Sequence, residues 1–321
     1  MVKLMAYLRL VRLPILLLIV LMQYAARYFI IEPMLVINGY ELLVSNLNFT
    51  LLVLSTVLIA AGGYSINDYF DVKIDRVNKL KRVIVDRYVK RRVAMALHVV
   101  LSGLGMLIAG YVCWKLGMWK LSALFLFAIF SLWYYSTNLQ HQIISGNLAK
   151  ALMASFVPLI VGLTEIPLQN AAHPESVEQL GYSIFNIPAY WLIGLSIGIF
   201  LLTLIREITK DVIDLRGDRI FGSNTIPVRF GVKVTKSILI LLYALFGAVL
   251  TWAYFDFLSV HNGMNTLFSV TVLLLILQFI LIFRARTKPH FLHSANLNVQ
   301  ISLLLVLGTY FIKLSIERYF M

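Results

Sequence analysis

The chain of 321 residues is 60% apolar and 13% charged, with a positive mean hydropathy; a soluble globular domain carries about twice that charged share. An ordinary soluble enzyme or scaffold is excluded, and the expectation is a single-domain, all-α polytopic membrane protein over residues 1–321. The net charge of +13 invites a nucleic-acid partner, but the placement of the basic residues argues for none.

In chain order, apolar runs long enough to cross a hydrocarbon core predict nine spans, near 13–31, 48–66, 93–112, 118–137, 147–165, 187–205, 238–256, 266–284 and 298–316. The first is too long for a cleavable signal peptide and has no small-residue cleavage site after it. Alternating the loops from a cytoplasmic N-terminus puts 22 of the 28 Lys and Arg residues inside. That asymmetry is the positive-inside signature, so charge reports orientation, with the N-terminus cytoplasmic. The single Cys113 has no internal disulfide partner. The six histidines show no metal-ligand spacing.

The second and sixth spans each run into an acidic segment on the cytoplasmic side. "NDYFDVKIDRVNK" begins at Asn67 and carries Asp68, Asp71 and Asp75; "KDVIDLRGDR" begins at Lys210 and carries Asp211, Asp214 and Asp218. Both read D-x-x-D-x-x-x-D. At 100° per residue, positions i, i+3 and i+7 lie within about 60° of one another, so each triplet forms a strip on one helix face. Like charges so close repel, and a divalent cation offsets that most simply. Hard oxygen donors without Cys or His suit magnesium or calcium over zinc. A single strip reads as readily as a solvated helix end paired with arginines; two of identical spacing on one side do not. Lys73, Arg76, Lys79, Lys81 and Arg82 surround the first strip, and Arg206, Lys210, Arg216 and Arg219 the second. Carboxylates for a metal beside cationic donors suit a bridging diphosphate, and a diphosphate at a membrane mouth suggests an isoprenyl diphosphate.

These residues resemble the UbiA superfamily of intramembrane prenyltransferases. Its first motif, N-D-x-x-D-x-x-x-D, is matched by Asn67, Asp68, Asp71 and Asp75, and its second, near D-x-x-D-x-x-G-D, by Asp211, Asp214, Gly217 and Asp218. "REITKD" before the second motif, "GSNTIP" after it, Tyr135–Ser136 and Gly146–Asn147 are similar to family satellites. There are departures: Val83 follows Arg82 where the family often has proline, and Gln140 stands where a lysine commonly follows Tyr-Ser. The resemblance implies nine helices around a central cavity, open to lipid, and Mg2+ held by Asn67, Asp68, Asp71, Asp75, Asp211, Asp214 and Asp218. It makes Asp71, Asp75, Asp214 and Asp218 catalytic, and draws Lys79, Arg82, Lys210, Tyr135 and Ser136 to the diphosphate. Tyr64, Tyr69, Tyr134 and Tyr135 would shield an allylic cation, although interfacial anchoring is the plainer role of any one of them. Gly62–Gly63 reads as a helix-packing pair.

The implied activity is transfer of a prenyl group to a lipophilic acceptor in a bacterial or archaeal cell membrane, at the cytoplasmic face. "YLRLVRLP" at the N-terminus and the compact first motif resemble the branch that prenylates geranylgeranylglyceryl phosphate, whose phosphate Arg9 and Arg12 would meet. Prenylation of an aromatic quinone precursor is the alternative acceptor chemistry. A divalent-cation transporter is the rival of another class, but it would place acids at the bilayer midplane, where the predicted spans carry none. A non-catalytic interaction protein would not need two matched strips. Composition carries no signal of oligomeric state.

Overall fold

The computed structural model describes residues 2–78, 83–174, 183–258 and 262–320. Helices in chain order are α1 Val2–Leu10, α2 Leu13–Ala25, α3 Glu32–Val36, α4 Asn46–Asn78, α5 Arg91–Lys115, α6 Ser122–Thr137, α7 Ser145–Ala172, α8 Asn186–Ile220, α9 Ile226–Ala253, α10 Asn262–Arg284 and α11 Lys288–Phe320. A π turn, Ala26–Ile31, joins α2 to α3, so that Leu13–Val36 is one span. No strand occurs among the described residues, only a bridge between Val85 and Val89.

Among the described residues, eight helices are long and apolar enough to cross a membrane. The fourth predicted span is the difference. Gly117 adopts φ 70° and Trp119–Leu121 forms a 3₁₀ turn, so the α-helix proper starts only at Ser122 and has 16 residues. Large apolar side chains face outward along the spans, Leu107, Trp114, Leu241, Leu273 and Phe283 among the most exposed. That surface is untenable in water and suits lipid. The chain is a multi-pass membrane protein.

The chain divides into two compact units, the first made of residues 1–20, 44–150 and 214–229, the second of 21–43, 151–213 and 230–321. In the first, α4 and α5 approach closely through small residues. A Cβ on Gly62 would strike the Ser102 hydroxyl, and one on Gly105 would meet the Ser55 carbonyl at 2.9 Å. Ser55 Oγ donates to the Gly105 carbonyl at 2.8 Å, and His98 Nδ1 lies 3.1 Å from the Gly62 carbonyl. Gly63 abuts Leu132 of α6, 2.8 Å from where a Cβ would stand. Gly62–Gly63 is therefore a packing pair, as small residues at membrane helix interfaces commonly are.

In the second unit, Gly198 of α8 admits Leu305 of α11, and a buried cluster joins Leu201, Leu202, Phe246 and Ile301. Buried amides fix helix register inside this apolar packing. Asn298 Nδ2 donates to the Leu202 carbonyl at 2.9 Å, and Gln278 Nε2 donates to Tyr243 Oη at 2.5 Å and the Ser294 carbonyl at 2.7 Å. Buried Glu165 accepts from the Leu43 N–H at 2.6 Å and from Gln169 at 2.9 Å.

Both motif-bearing helices are longer than a bilayer requires. The 33 residues of α4 and 35 of α8 give about 50 Å each at 1.5 Å per residue, against a core of about 30 Å. The surplus turns carry the aspartates.

Candidate active site

The last turns of α4 have two faces. Val72 packs into a cluster with Ala6, Leu10, Val85, Val89 and Ala94, which clamps the helix from α1, the loop before α5 and α5 itself. The other face presents Asn67, which is buried, and Asp68, Asp71 and Asp75, which are half-buried. One further turn along the same strip lies Asn78, i+3 from Asp75.

Asn67 and Asp71 are tied into a hydrogen-bond network with Gln140. Asn67 Nδ2 donates to Asp71 Oδ2 at 3.0 Å and to Gln140 Oε1 at 2.8 Å. Gln140 Nε2 donates to Asp71 Oδ1 at 2.7 Å. An ionised carboxylate only accepts, so this partner fixes which end of the Gln140 amide faces Asp71. The second Gln140 hydrogen points to His141 Nε2 at 3.1 Å, which must then be the bare nitrogen. His141 Nδ1 accordingly carries the proton and donates to Ser223 Oγ at 3.1 Å. Burial lowers the His141 pKa from its ordinary value, in keeping with a neutral ring.

Arg12 reaches the same strip from the break between α1 and α2. Its guanidinium donates to Asp68 at 3.1 Å and to Asn67 Oδ1 at 3.3 Å, and lies 4.7 Å from the centroid of the Tyr64 ring. The backbone there is left-handed, φ 56°, a conformation costing an L-residue about 1 kcal/mol or more. Arg9 is exposed on α1.

The second motif ends α8. Gly222, at φ 71°, follows the last turn, with its N–H to the Arg219 carbonyl and the Ser223 N–H to the Asp218 carbonyl at 2.9 Å. This is a Schellman ending with glycine in the position that needs positive φ. It returns the chain so that Thr225 Oγ1 donates to Asp218 Oδ2 at 3.3 Å. Asp218 is buried; Asp211 and Asp214 are half-buried on the same helix. The Asn224 N–H donates to the His141 carbonyl at 2.7 Å.

Asn78 joins the two motifs directly. Its Nδ2 donates to the Asp214 carbonyl and its Oδ1 accepts from the Gly217 N–H, both at 2.8 Å. A Cβ on Gly217 would run into this amide, so glycine in the second motif is the residue that admits Asn78.

The other predicted residues are placed as follows. Lys79 and Arg82 lie outside the described residues. Lys210 donates to Glu207 at 2.6 Å, and Arg206 pairs with the same buried carboxylate at 3.2 Å. Tyr135 has the Lys150 ammonium 4.4 Å from its ring centroid, and Ser136 Oγ donates within its own helix to the Leu132 carbonyl. Arg91 lies over Tyr69 at 4.7 Å, and Tyr134 stacks on Phe130. Sequence reasoning did not single out Asn78, His141 or Lys150, and reached Ser223 and Thr225 only as members of the satellite "GSNTIP". For Asn78 the signal was available, since it extends the 68, 71, 75 strip by one more i+3 step.

The donor set suits magnesium: carboxylates and one carboxamide, with no sulfur or imidazole on the strips. Among the described residues no three acidic, histidine or cysteine groups already converge on an ion position. A metal here would complete its shell with substrate oxygens, as magnesium commonly does with phosphates.

Comparison with known proteins gives the same direction. A model of the UbiA prenyltransferase family matches residues 35–304. The chain is 29% identical to the digeranylgeranylglyceryl phosphate synthase of Sulfurisphaera tokodaii over 246 residues, 74% of each protein. It is 32% identical to the synthase of the same name from Methanothrix thermoacetophila over 233 residues, 72% of this chain and 78% of that one. A solved UbiA homologue from Archaeoglobus fulgidus bound to DMAPP and Mg2+ superposes with a TM-score of 0.61 at 19% identity, covering 95% of this chain and 98% of that one. With the family match spanning most of its length and both acidic motifs, the chain belongs to the UbiA prenyltransferase family.

Proposed function

We propose that this prenyltransferase moves a geranylgeranyl group from its diphosphate to geranylgeranylglyceryl phosphate, a lipid acceptor that brings its own phosphate and long tail. The observation that carries the reading is that Asn78, Gln140 and His141 tie the two aspartate motifs together, as a shared diphosphate site requires. The names of the relatives supply the acceptor.

In this reading Asn67, Asp68, Asp71 and Asp75 hold metal on one side, and Asp211, Asp214 and Asp218 on the other, the strips facing one another across a cavity. Bound magnesium supplies positive charge where the leaving group becomes more negative. Asp71 and Asp218 are the firmest of these ligands, because Asn67 with Gln140, and Thr225 with Ser223, orient them before substrate arrives. The allylic C–O bond breaks with its electron pair going to the diphosphate; the acceptor hydroxyl oxygen then bonds to the allylic carbon and its proton passes to the departing diphosphate. Groups that meet the growing charge more strongly than the ground state lower the barrier. Lys79, Arg82 and Lys210 neutralise diphosphate oxygens, and Tyr135 and Ser136 contribute to binding the same group. Tyr64, Tyr69 and Tyr134 line the approach of the allylic carbon. Arg9 and Arg12 meet the acceptor phosphate, a role that the approach of Arg12 to the first motif supports.

The site lies at the cytoplasmic face of an archaeal or bacterial cell membrane, with the N-terminus inside, on the strength of the basic loops. Nine spans are proposed: the turn Trp119–Leu121 with Ser122–Thr137 makes about 30 Å, six from the 3₁₀ turn and 24 from α6, just enough to cross. The chain is read as one domain because the family match from 35 to 304 runs through both compact units. The test is competition: solubilised protein receives geranylgeranyl diphosphate with both geranylgeranylglyceryl phosphate and an aromatic quinone precursor. Prenylated glyceryl phosphate is expected. Prenylation of the aromatic compound alone would remove the acceptor assignment and leave prenyl transfer standing.

A further inference from the structure

The segment Leu139–His141, between α6 and α7, belongs to neither aspartate motif and touches the surroundings of both. Gln140 grips the first motif, donating to Asp71 and accepting from Asn67. His141 grips the turn after the second. Its ring donates to Ser223, and its carbonyl accepts from Asn224. Ser223 and Thr225 in that turn bond Asp218 through main chain and side chain respectively. The two grips are linked to each other by the Gln140 Nε2 to His141 Nε2 hydrogen bond. Gly146, at the start of α7, keeps the segment in place, since a Cβ there would meet the Leu139 carbonyl at 2.6 Å.

We propose that Gln140 and His141 are positioning residues, a neutral strap that sets Asp71 against Asp218 so that the two strips bind one metal–diphosphate group together. The proposal rests on the diphosphate reading of the site. Its chemistry explains glutamine at position 140. The amide must donate twice, to Asp71 and His141, and accept once, from Asn67. A lysine ammonium has no acceptor, so it would leave Asn67 Nδ2 facing a donor. It would also put a positive charge beside the Asp71 carboxylate, opposing a divalent cation there. A neutral donor orients Asp71 without cancelling its charge.

The strap makes a prediction that a merely structural loop would not. Ser223 lies 83 positions beyond Gln140, yet its effect on metal binding should depend on Gln140. Purified protein is titrated with Mn2+ in the presence of inorganic pyrophosphate, and free Mn2+ is read by electron paramagnetic resonance, with no turnover needed. Gln140→Ala is expected to weaken Mn2+ binding about tenfold, the loss of one charge-assisted hydrogen bond in affinity. Ser223→Ala alone should weaken it about threefold, and in the Gln140→Ala background should change nothing further. Gln140→Lys keeps a donor, on a side chain one atom longer, and loses the acceptor; it should weaken binding at least as much as Gln140→Ala. Unchanged affinity in both Gln140 variants, or full multiplication of the Gln140 and Ser223 effects, would overturn the strap. A wild-type protein that binds Mn2+ and pyrophosphate but transfers no prenyl group would instead fault the function reading, and the same titrations would still decide the strap.

Discussion

Replacing Gly217 by alanine is the sharpest probe of how the two motifs are joined, because physics predicts a change of sign with background. In a helix interior alanine is favoured over glycine by about 1 kcal/mol, so at an indifferent site the substitution stabilises. Here the new Cβ would occupy the place of the Asn78 amide, whose Cγ and Oδ1 would both lie 2.8 Å away. Asn78 must then leave, and with it go the bonds to the Asp214 carbonyl and the Gly217 N–H. Two such bonds contribute about 2 kcal/mol together. Set against the helix gain, Gly217→Ala should cost about 1 kcal/mol net. Asn78→Ala alone should cost about 2 kcal/mol. In the Asn78→Ala background nothing is left to displace, and Gly217→Ala should stabilise by about 1 kcal/mol. The coupling of about 2 kcal/mol is what a double-mutant cycle isolates. Equilibrium unfolding of all four proteins in mixed micelles, followed by tryptophan fluorescence, measures it. If Gly217→Ala has the same effect with and without Asn78, the bridge contributes nothing and the account of glycine in this motif is wrong.

Three further outcomes are expected. Asp71→Asn and Asp218→Asn should each insert normally in the membrane and lower turnover at least about a hundredfold, the scale for losing a stabiliser of transition-state charge; near-wild-type rates in both purified proteins would remove their assigned roles. His141 is held neutral by burial, while the unfolded chain binds a proton near pH 6.5. Stability should therefore be full above that pH, fall as pH drops through it, and level off below the lower folded pKa; His141→Gln should flatten this slope in unfolding measured from pH 7.5 to 5, and an unaltered slope would assign the titration elsewhere. Arg12→Gln should raise the KM for the phosphate-bearing acceptor about tenfold, the size of one charge-assisted hydrogen bond; an unchanged acceptor KM would leave Arg12 as an anchor of the first span and of Asp68 only.

The parts of this protein legible in its sequence are those set by local periodicity. Apolar runs marked the spans, and the i, i+3, i+7 spacing put each aspartate triplet on one helix face, because a helix converts spacing into direction without help from the rest of the fold. The fourth span was legible as apolar, yet its start depended on the left-handed turn at Gly117 and the tighter 3₁₀ turn behind it, which hydropathy does not see. The π turn at Ala26–Ile31 and the left-handed Arg12 escaped for the same reason. Tertiary closeness was least visible. Nothing in the spacing announces that Asn67 meets Gln140 or that His141 meets Ser223, since these hydrogen-bonded pairs lie 73 and 82 residues apart. Gln140 could be noticed as an unusual residue, but its partners could not be named. The histidine beside it has no metal-ligand spacing to mark it, because His141 serves as an acceptor on one nitrogen and a donor on the other.

The central claim is that two tethered aspartate strips catalyse magnesium-dependent prenyl transfer from a diphosphate. It is tested most directly by reconstituting the protein in vesicles with labelled geranylgeranyl diphosphate and geranylgeranylglyceryl phosphate, and following label and pyrophosphate together. The account predicts one pyrophosphate released for each labelled prenyl group moved to the acceptor, loss of both on chelation, and recovery of both on adding magnesium. Label transfer that continues undiminished in excess chelator would contradict it.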